Sequence, residues 1–280
     1  MSYKTILACL TSEFAARRLL PAACGLAVRF DAHLTGLHTR EAFVPYSGIA
    51  IAADEITIGD FSSRVSEEDR KIEKLFKAAA DQTGCISEWR SQAARSPDAA
   101  DELRESAIRS DLTVALFPDA ERERFDQRGF QKDLVANSGR PLLLLPNDWG
   151  DQPIGTRVLA AWKPSREAAR ALHDGLPFLK DAAFAEVVTI EEHPHTYADT
   201  STEGHEIARV LSRHGVTAEV RDIPDGEHPA GLCLLMEAAS QQCDLLIMGG
   251  YGHSRLHRLI FGDASEHVLQ EARIPVLMSS

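Results

Sequence analysis

Short apolar runs alternate with longer amphipathic segments along the whole chain, and this pattern predicts alternating buried strands and helices. The apolar run Thr5–Leu10 is followed by Ser12, and the run Arg157–Trp162 is followed by Ser165. Serine is a favoured residue at a helix N-cap, so each of these runs predicts a strand that leads into a helix. The same unit therefore occurs near the beginning of each half of the chain.

The remaining predicted strands also occur in corresponding pairs, which indicates a weak internal repeat. The pairs are Ala32–His38 with Ala185–Ile190, Ile86–Arg90 with Thr217–Arg221, Asp111–Phe117 with Asp244–Met248, and Arg140–Leu145 with Ile274–Met278. The segments between them are long enough for crossover helices. Each half therefore reads β-α-β-α-β-α-β-α-β, which predicts the α/β class with a five-stranded parallel sheet flanked by helices.

Turn-forming residues mark the division between the two halves. Asn147–Pro153 is rich in such residues and predicts a linker. We therefore predict a first domain over residues 1–147 and a second over residues 154–280. A chain of 280 residues is long enough to give each domain its own core.

Composition favours a soluble cytoplasmic protein. The formal net charge of −12 argues against a nucleic-acid or anionic-membrane surface, and no apolar stretch approaches a membrane span. The beginning of the chain does not resemble a signal peptide. The five cysteines lack paired spacing and fit reduced thiols: Cys9, Cys24, Cys233 and Cys243 as core residues and Cys85 as a more exposed one.

The segment Leu245–Gly262 carries the most specific chemistry. A short apolar run ends in glycines spaced G-x2-G-x9-G, with basic residues between the second and third. Glycine allows close approach to the main chain, and successive N–H groups beside a helix N-terminus bind anions. A phosphate-binding loop is one interpretation, and a glycine-rich turn between strand and helix is the other.

The glycine spacing also resembles a known family. Gly249, Gly252 and Gly262 match the G-x2-G-x9-G signature of universal stress proteins, and Glu266–Leu269 with Ile274–Leu277 resemble the helix and strand that end them. The resemblance covers both halves by pattern but only the second half by motif.

The resemblance implies a fold and a ligand. The fold would be adenine nucleotide alpha hydrolase-like, with strand order 3-2-1-4-5 in each of two tandem sheets packed as an internal pseudo-dimer. Family members pair through the last strand, so Pro141–Leu145 and Ile274–Met278 are candidates for domain contacts or for a homodimer. The implied ligand is ATP or AMP, bound in the second half for a regulatory role in the stress response, with protein partners that remain unknown.

The predicted nucleotide site lies where the glycine loop leaves the fourth strand. Gly249, Gly252 and Gly262 would supply amide donors and close approach, and His253, Ser254 and Arg255 would contact phosphate oxygens. Val187 and Val188 on the second strand would flank the adenine, with core packing as the alternative for at least one of them. A solvated loop with paired charges is the alternative interpretation of the basic residues.

Two positions depart from the family pattern. Asp263 stands where the family has Ser or Thr, and its carboxylate would repel a phosphate unless a metal such as Mg²⁺ bridged the two. Asp263 also predicts an N-cap for the helix that follows. Lys163 stands at the end of the first strand, where an Asp usually meets the nucleoside; it could attract a phosphate or simply face solvent.

The first half departs further from the family. After Phe117 no G-x-x-G occurs, and Leu10-Thr11-Ser12 lacks the family Asp at the first strand end. We therefore predict a degenerate universal stress protein domain that binds no nucleotide and acts as a structural partner.

Enzymatic function is not predicted, since the chain has no nucleophile elbow, Walker A motif or dinucleotide fingerprint, and any ATP hydrolysis would be slow. Two alternatives to nucleotide binding stay open. One is a protein-interaction module whose pockets have decayed. The other is a metal-binding protein that uses histidines of the second half, namely His193, His195, His205, His253 and His257.

Overall fold

The computed structural model describes residues 2–40, 55–95, 99–119, 129–190, 200–224, 228–250 and 262–280, with the side chains of 55–61, 200–202 and 262–263 left out. The described elements follow one another along the chain as β1 Thr5–Cys9, α1 Glu13–Phe30, β2 His33–Arg40, α2 Glu55–Thr83, β3 Ser87–Ala93, α3 Ala100–Ala107, β4 Leu112–Leu116, α4 Phe130–Asn137, β5 Leu142–Leu145, β6 Arg157–Trp162, α5 Arg166–Asp174, α6 Leu176–Asp181, β7 Phe184–Ile190, α7 Thr200–Arg213, β8 Glu219–Ile223, α8 Ala230–Ser240, β9 Leu245–Gly249, α9 Gly262–Glu271 and β10 Val276–Ser279. The α/β class is confirmed, and each predicted strand is present with ends shifted by two residues or fewer, apart from β3, which runs three residues further.

Each half forms a parallel sheet with the order that the family resemblance implied. The first half is ordered β3-β2-β1-β4-β5 and the second β8-β7-β6-β9-β10, which is 3-2-1-4-5 in both. Alternate residues of β1 enter different apolar clusters: Ile6 and Ala8 belong to one and Leu7 and Cys9 to the other. The sheet is therefore covered by core on both faces, as parallel sheets require.

The two sets of strands are joined edge to edge into one sheet of ten strands. Strands β5 and β10 run antiparallel, with Leu142 opposite Met278, Leu143 opposite Leu277 and Leu144 opposite Val276. These side chains are 1% exposed or less. The prediction that the last strand of each half mediates pairing is confirmed, and the pairing is inside the chain.

An aspartate holds the start of the first strand in each half. Asp111 accepts hydrogen bonds from the amides of Lys4 (2.8 Å) and Thr5 (3.0 Å). Asp244 accepts from the amides of Gly155 (2.9 Å) and Arg157 (2.9 Å). Both aspartates immediately precede the fourth strand of their half. The two halves therefore share these hydrogen bonds as well as a strand order.

The predicted caps are confirmed where the halves repeat most clearly. The Ser12 side chain accepts the amide of Ala15 at 3.1 Å, and the Ser165 side chain accepts the amide of Ala168 at 3.2 Å. Each bond satisfies one of the free amides at a helix N-terminus. The serines therefore fix where α1 and α5 begin.

Aromatic packing joins the halves on one face of the sheet. The rings of Tyr3 and Phe30 from the first half lie 5.7 Å and 5.2 Å from the ring of Phe178 in the second. The Tyr3 hydroxyl donates to the Asp174 carbonyl at 2.5 Å, and Arg29 donates to the Ile154 carbonyl at 2.5 Å. Burial raises the pKa of Tyr3 well above its usual value, so its hydroxyl keeps the proton that it donates.

The cysteines are all free thiols. Cys9, Cys24 and Cys243 are buried as predicted, whereas Cys233 is only partly buried, so its assignment to the core is wrong. Cys233 lies on α8, whose outer face is partly open to solvent. Among the described residues, no helix is both long and apolar enough to cross a membrane.

Acidic pH should weaken the stabilisation that the Asp111 hydrogen bonds give to the start of β1. Burial alone would raise the pKa of Asp111, but the hydrogen bonds from Lys4 and Thr5 outweigh it and hold the pKa below its ordinary 3.8. A lowered folded-state pKa stabilises the protein above the unfolded-state pKa, and this stability is lost as the pH falls through the folded-state value. We expect Asp111→Asn to lower the free energy of unfolding at pH 7, with the difference shrinking below pH 3.8.

Urea denaturation over a pH series measures this effect. Asp31→Asn is the control, because the pKa of Asp31 is also lowered, by Lys4, but its side chain is 89% exposed and solvent screens the pair. If the free energy of unfolding depended on pH equally in the two variants, the stabilising role of the Asp111 hydrogen bonds would be contradicted.

The Tyr3 hydroxyl should contribute to the contact between the halves. Tyr3→Phe keeps the ring packing but leaves the Asp174 carbonyl without this donor. We expect a loss of about 1–2 kcal/mol in the free energy of unfolding, the usual cost of an unsatisfied buried group. Val28→Ala, at a 53% exposed position of α1, is the control and should change stability far less.

Candidate functional site

The candidate site lies at the carboxyl ends of β6 and β9 in the second half. Strand β6 pairs with β7 on one side and with β9 on the other. The chain passes from β6 to β7 in one direction and reaches β9 on the other side, so strand order reverses between β6 and β9. Ligands of open α/β sheets bind at such a reversal, outside the carboxyl ends of the strands.

Gly249, the last residue of β9, lies directly against the first turn of α5. A Cβ at this position would stand 2.8 Å from the Ala168 nitrogen, 2.8 Å from the Glu167 carbonyl carbon and 2.9 Å from its Cβ. Two of these neighbours are backbone atoms, so a side chain would displace the helix. The helix N-terminus, with its positive end of the dipole, therefore comes as near to the end of β9 as a glycine permits.

Gly250 lies against the other half of the chain. A Cβ at Gly250 would stand 2.2 Å from Cγ1 of Val135 on α4. The Gly250 amide donates to the Ser279 carbonyl at 2.7 Å, and the Ser280 hydroxyl donates to the Val135 carbonyl at 2.6 Å. Helix α4 of the first half therefore packs against the exit of β9, the strand that leads into the glycine loop.

Sequence reasoning missed Gly250 and Val135, because Gly250 lies outside the G-x2-G-x9-G spacing and Val135 belongs to the half without the motif. The two consecutive glycines, Gly249 and Gly250, were the available signal in the sequence. They indicate that other parts of the chain come close to the backbone at the end of β9 at two positions.

Lys163 follows β6 and is partly buried, and its carbonyl accepts the Ser165 amide at 2.7 Å. The main chain of Lys163 thus forms part of the turn that leads into α5. Val188 is 1% exposed and packs in a core cluster that contains Leu159 and Leu246. In this conformation Val188 offers almost no surface to a ligand.

The remainder of the predicted loop is only partly described. Gly252, His253, Ser254 and Arg255 lie outside the described residues. Helix α9 already begins at Gly262, so Asp263 is a residue of its first turn, and the prediction that Asp263 is the N-cap is wrong. An acidic residue in a first turn still favours the helix through its dipole.

In the first half a buried ring lies beside the end of β1, on the side of β2. His38 is 1% exposed, and its Nδ1 hydrogen-bonds to the Leu10 carbonyl at 2.6 Å. The imidazole also stacks on Trp89, with ring centroids 6.4 Å apart. Because a carbonyl only accepts, Nδ1 carries the proton, and the ring closes the end of β1 against β2.

The predicted metal ligands come together nowhere in the described part of the chain. Over those residues, no group of three or more His, Cys, Asp or Glu is arranged to hold a metal ion. Of the candidate histidines, His193, His195, His253 and His257 fall outside the description, while His205 lies on α7. Metal binding by these histidines stays a hypothesis.

Comparison with known proteins shows which family the second half is similar to. Residues 156–280 match the sequence model of the universal stress protein family. A universal stress protein of Synechocystis sp. PCC 6803 is 28% identical over 149 residues, 51% of this chain, and the chain spans 48% of the length of that relative.

Solved structures give the fold of the whole chain. A universal stress protein from Archaeoglobus fulgidus DSM 4304 superposes with a TM-score of 0.72 at 15% identity, covering 99% of this chain and 98% of its own. A functionally unknown protein from Pseudomonas aeruginosa PAO1 superposes with a TM-score of 0.57 at 16% identity, covering 99% of this chain and 92% of its own. Residues 156–280 therefore match the universal stress protein family, and the chain as a whole is UspA-like in fold.

Gly249 should tolerate no side chain. We expect Gly249→Ala to lower the free energy of unfolding by about 1–3 kcal/mol, because the new methyl group overpacks the first turn of α5. Gly25→Ala is the matched control, since nothing lies within 4 Å of a Cβ built there. Alanine is the better helix former, so that change should stabilise by about 0.5–1 kcal/mol.

Urea denaturation of both variants measures the difference. A Gly249→Ala protein as stable as the parent would show that the first turn of α5 is free to move away from β9.

Proposed function

We propose that this protein binds an adenine nucleotide, ATP or AMP, in its second half and acts as a regulatory protein of the stress response. The observation that carries the proposal is Gly249, which has no space for a side chain and sits where strand order reverses, against a helix N-terminus. Amides at a helix N-terminus attract phosphate, and the G-x2-G-x9-G spacing begins at this residue.

The first half is proposed to serve as a partner and not as a second site. The sequence supports this role, because no G-x-x-G follows Phe117 at the end of β4. Helix α4 adds a second role, since Val135 packs against Gly250. The internal pairing of β5 with β10 makes the chain a pseudo-dimer by itself.

The proposal includes neither catalysis nor Mg²⁺. Any ATP hydrolysis would be slow, since the sequence offers no positioned base or pair of metal-binding carboxylates beside the loop. The free thiols are compatible with the cytoplasm, where we propose that the protein acts.

A protein-interaction module without nucleotide is the second candidate. Lys163 and Asp263 favour it, because a lysine cannot accept a hydrogen bond from a nucleoside and a carboxylate repels a phosphate. The two candidates differ in one measurable property, which is saturable binding of nucleotide.

Asp263→Ser tests both candidates. If a phosphate lies near this residue, removing the negative charge should tighten ATP binding by about tenfold, or roughly 1.4 kcal/mol. Isothermal titration calorimetry of the purified chain with ATP and with AMP measures the change. Glu266→Gln is the matched control, since Glu266 also belongs to α9 but pairs with Lys132 at 3.3 Å on an exposed face.

Equal affinities in the parent, Asp263→Ser and Glu266→Gln would contradict a phosphate beside Asp263. No saturable binding of either nucleotide, with none retained in native mass spectrometry, would overturn the proposal and favour the interaction module. Saturation by zinc alone would favour the histidine metal site. The same titration of Lys163→Ala, with Thr11→Ala at the corresponding end of β1 as its control, then shows which half binds the nucleotide. Only the substitution in the binding half should change the affinity.

A further inference from the structure

Two histidines at the ends of different helices lie beside each other on the surface of the second half. His173 belongs to the last turn of α5, and His214 directly follows α7. Their ring centroids are 6.0 Å apart with the ring planes at 83°, and both residues are exposed. Neither is among the five histidines considered above as metal ligands, so this pair emerges only from the fold.

A backbone hydrogen bond fixes the tautomer of His173. Its Nδ1 lies 2.8 Å from the Ala169 carbonyl oxygen. A carbonyl only accepts, so Nδ1 carries the proton and the lone pair of the neutral ring lies on Nε2. Metal-binding histidines usually have such a carbonyl on their other nitrogen, because it orients the ring and makes the ligating nitrogen more basic.

The turn that ends α7 holds the main chain at His214 in place. Gly215 has φ +84°, and its amide donates to the Ser212 carbonyl at 3.0 Å. The Val216 amide donates to the Leu211 carbonyl at 3.1 Å, and the Val216 side chain is buried. These two bonds form a Schellman motif, with a left-handed glycine directly after His214. The backbone is therefore anchored to the core while the ring stays on the surface.

The ends of the two helices favour a cation between the rings. The carboxyl end of a helix carries partial negative charge, and each ring stands at such an end. The charge of Arg170, on the same helix as His173, is offset by the Asp174 carboxylate at 2.8 Å. Arg213 in the last turn of α7 opposes the attraction, but it is exposed and solvent screens its charge.

We propose that His173 and His214 together bind one divalent transition metal ion of the Cu²⁺, Ni²⁺ and Zn²⁺ group, with water in the remaining coordination positions. Imidazole nitrogen suits these ions, whereas Mg²⁺ and Ca²⁺ prefer oxygen ligands. The site is independent of nucleotide binding and of the proposed function.

The separation of the rings fits a shared ion. A metal lies about 2.0–2.1 Å from an imidazole nitrogen and so about 3.2 Å from the ring centre. Two ligating rings then have centroids about 5.2 Å apart at a tetrahedral angle and about 6.4 Å apart on opposite sides of the ion. The observed 6.0 Å lies within this range, so turning the exposed side chains is sufficient and neither helix has to move.

Thermal unfolding of the metal-free full chain at neutral pH, with and without Ni²⁺ or Zn²⁺, tests the site. The ion would join α5 to α7 in the folded state, so we expect it to raise the unfolding midpoint of the parent by several degrees. Mg²⁺ should give no rise. His173→Ala and His214→Ala should each remove most of the rise and weaken Ni²⁺ binding in calorimetry by about tenfold or more, since each removes one of the two protein ligands.

His205→Ala is the matched control. His205 is also exposed and lies on α7, so this variant should keep the full rise. Because His173 and His214 are exposed as well, their variants should unfold near the parent midpoint when no metal is present. If either variant folds poorly, ring signals of the parent in NMR spectra provide the same test, and substoichiometric Cu²⁺ should broaden those of both His173 and His214.

A full rise in either His173→Ala or His214→Ala would overturn the proposal, because the ion would then not be shared by the two rings. The absence of any rise in the parent would overturn it too. An equal rise with Mg²⁺ would indicate carboxylate ligands instead of imidazole, and loss of the rise in His205→Ala would indicate a different set of histidines. Either result would also contradict the site.

Discussion

The antiparallel contact between β5 and β10 is the constraint on which the rest of the structure depends. Each strand is the last of its half and would otherwise be an apolar sheet edge, which exposes unpaired N–H and C=O groups and invites aggregation. Pairing Leu142, Leu143 and Leu144 with Met278, Leu277 and Val276 removes both edges at once. The outer edges of the resulting sheet are β3 and β8, whose residues are largely polar or charged and partly exposed.

This junction also brings helices of the two halves into contact beside the candidate site. Val135 of α4 packs against Gly250, and Arg170 of α5 donates to the Gly139 carbonyl at 3.0 Å. The exit of β9 is therefore held on one side by a helix of its own half and on the other by a helix of the first half. A half that lacks the glycine motif still shapes the place where the motif begins.

The two halves differ at the carboxyl ends of their strands and agree in strand order and in the hydrogen bonds at the strand starts. Asp111 and Asp244 perform the same bonding at the start of the first strand, and Ser12 and Ser165 cap corresponding helices. The carboxyl ends differ in sequence, because the G-x-x-G that begins at Gly249 has no counterpart after Phe117. Strand starts serve stability and strand ends serve ligands in this fold class, so divergence at the ends changes function while the sheet survives.

The sequence alone determined the strands, their parallel arrangement within each half and the two serine caps, because hydrophobic period and serine placement are local signals. The resemblance added the strand order and the pairing of the last strands. Two features were decided only by tertiary packing: that the last strands pair within one chain, and that Val135 contacts Gly250. Each joins residues that are distant along the chain, and no local pattern records which distant atoms will share the same space. The burial of Val188 and the position of Asp263 inside α9 depended on packing and helix ends in the same way.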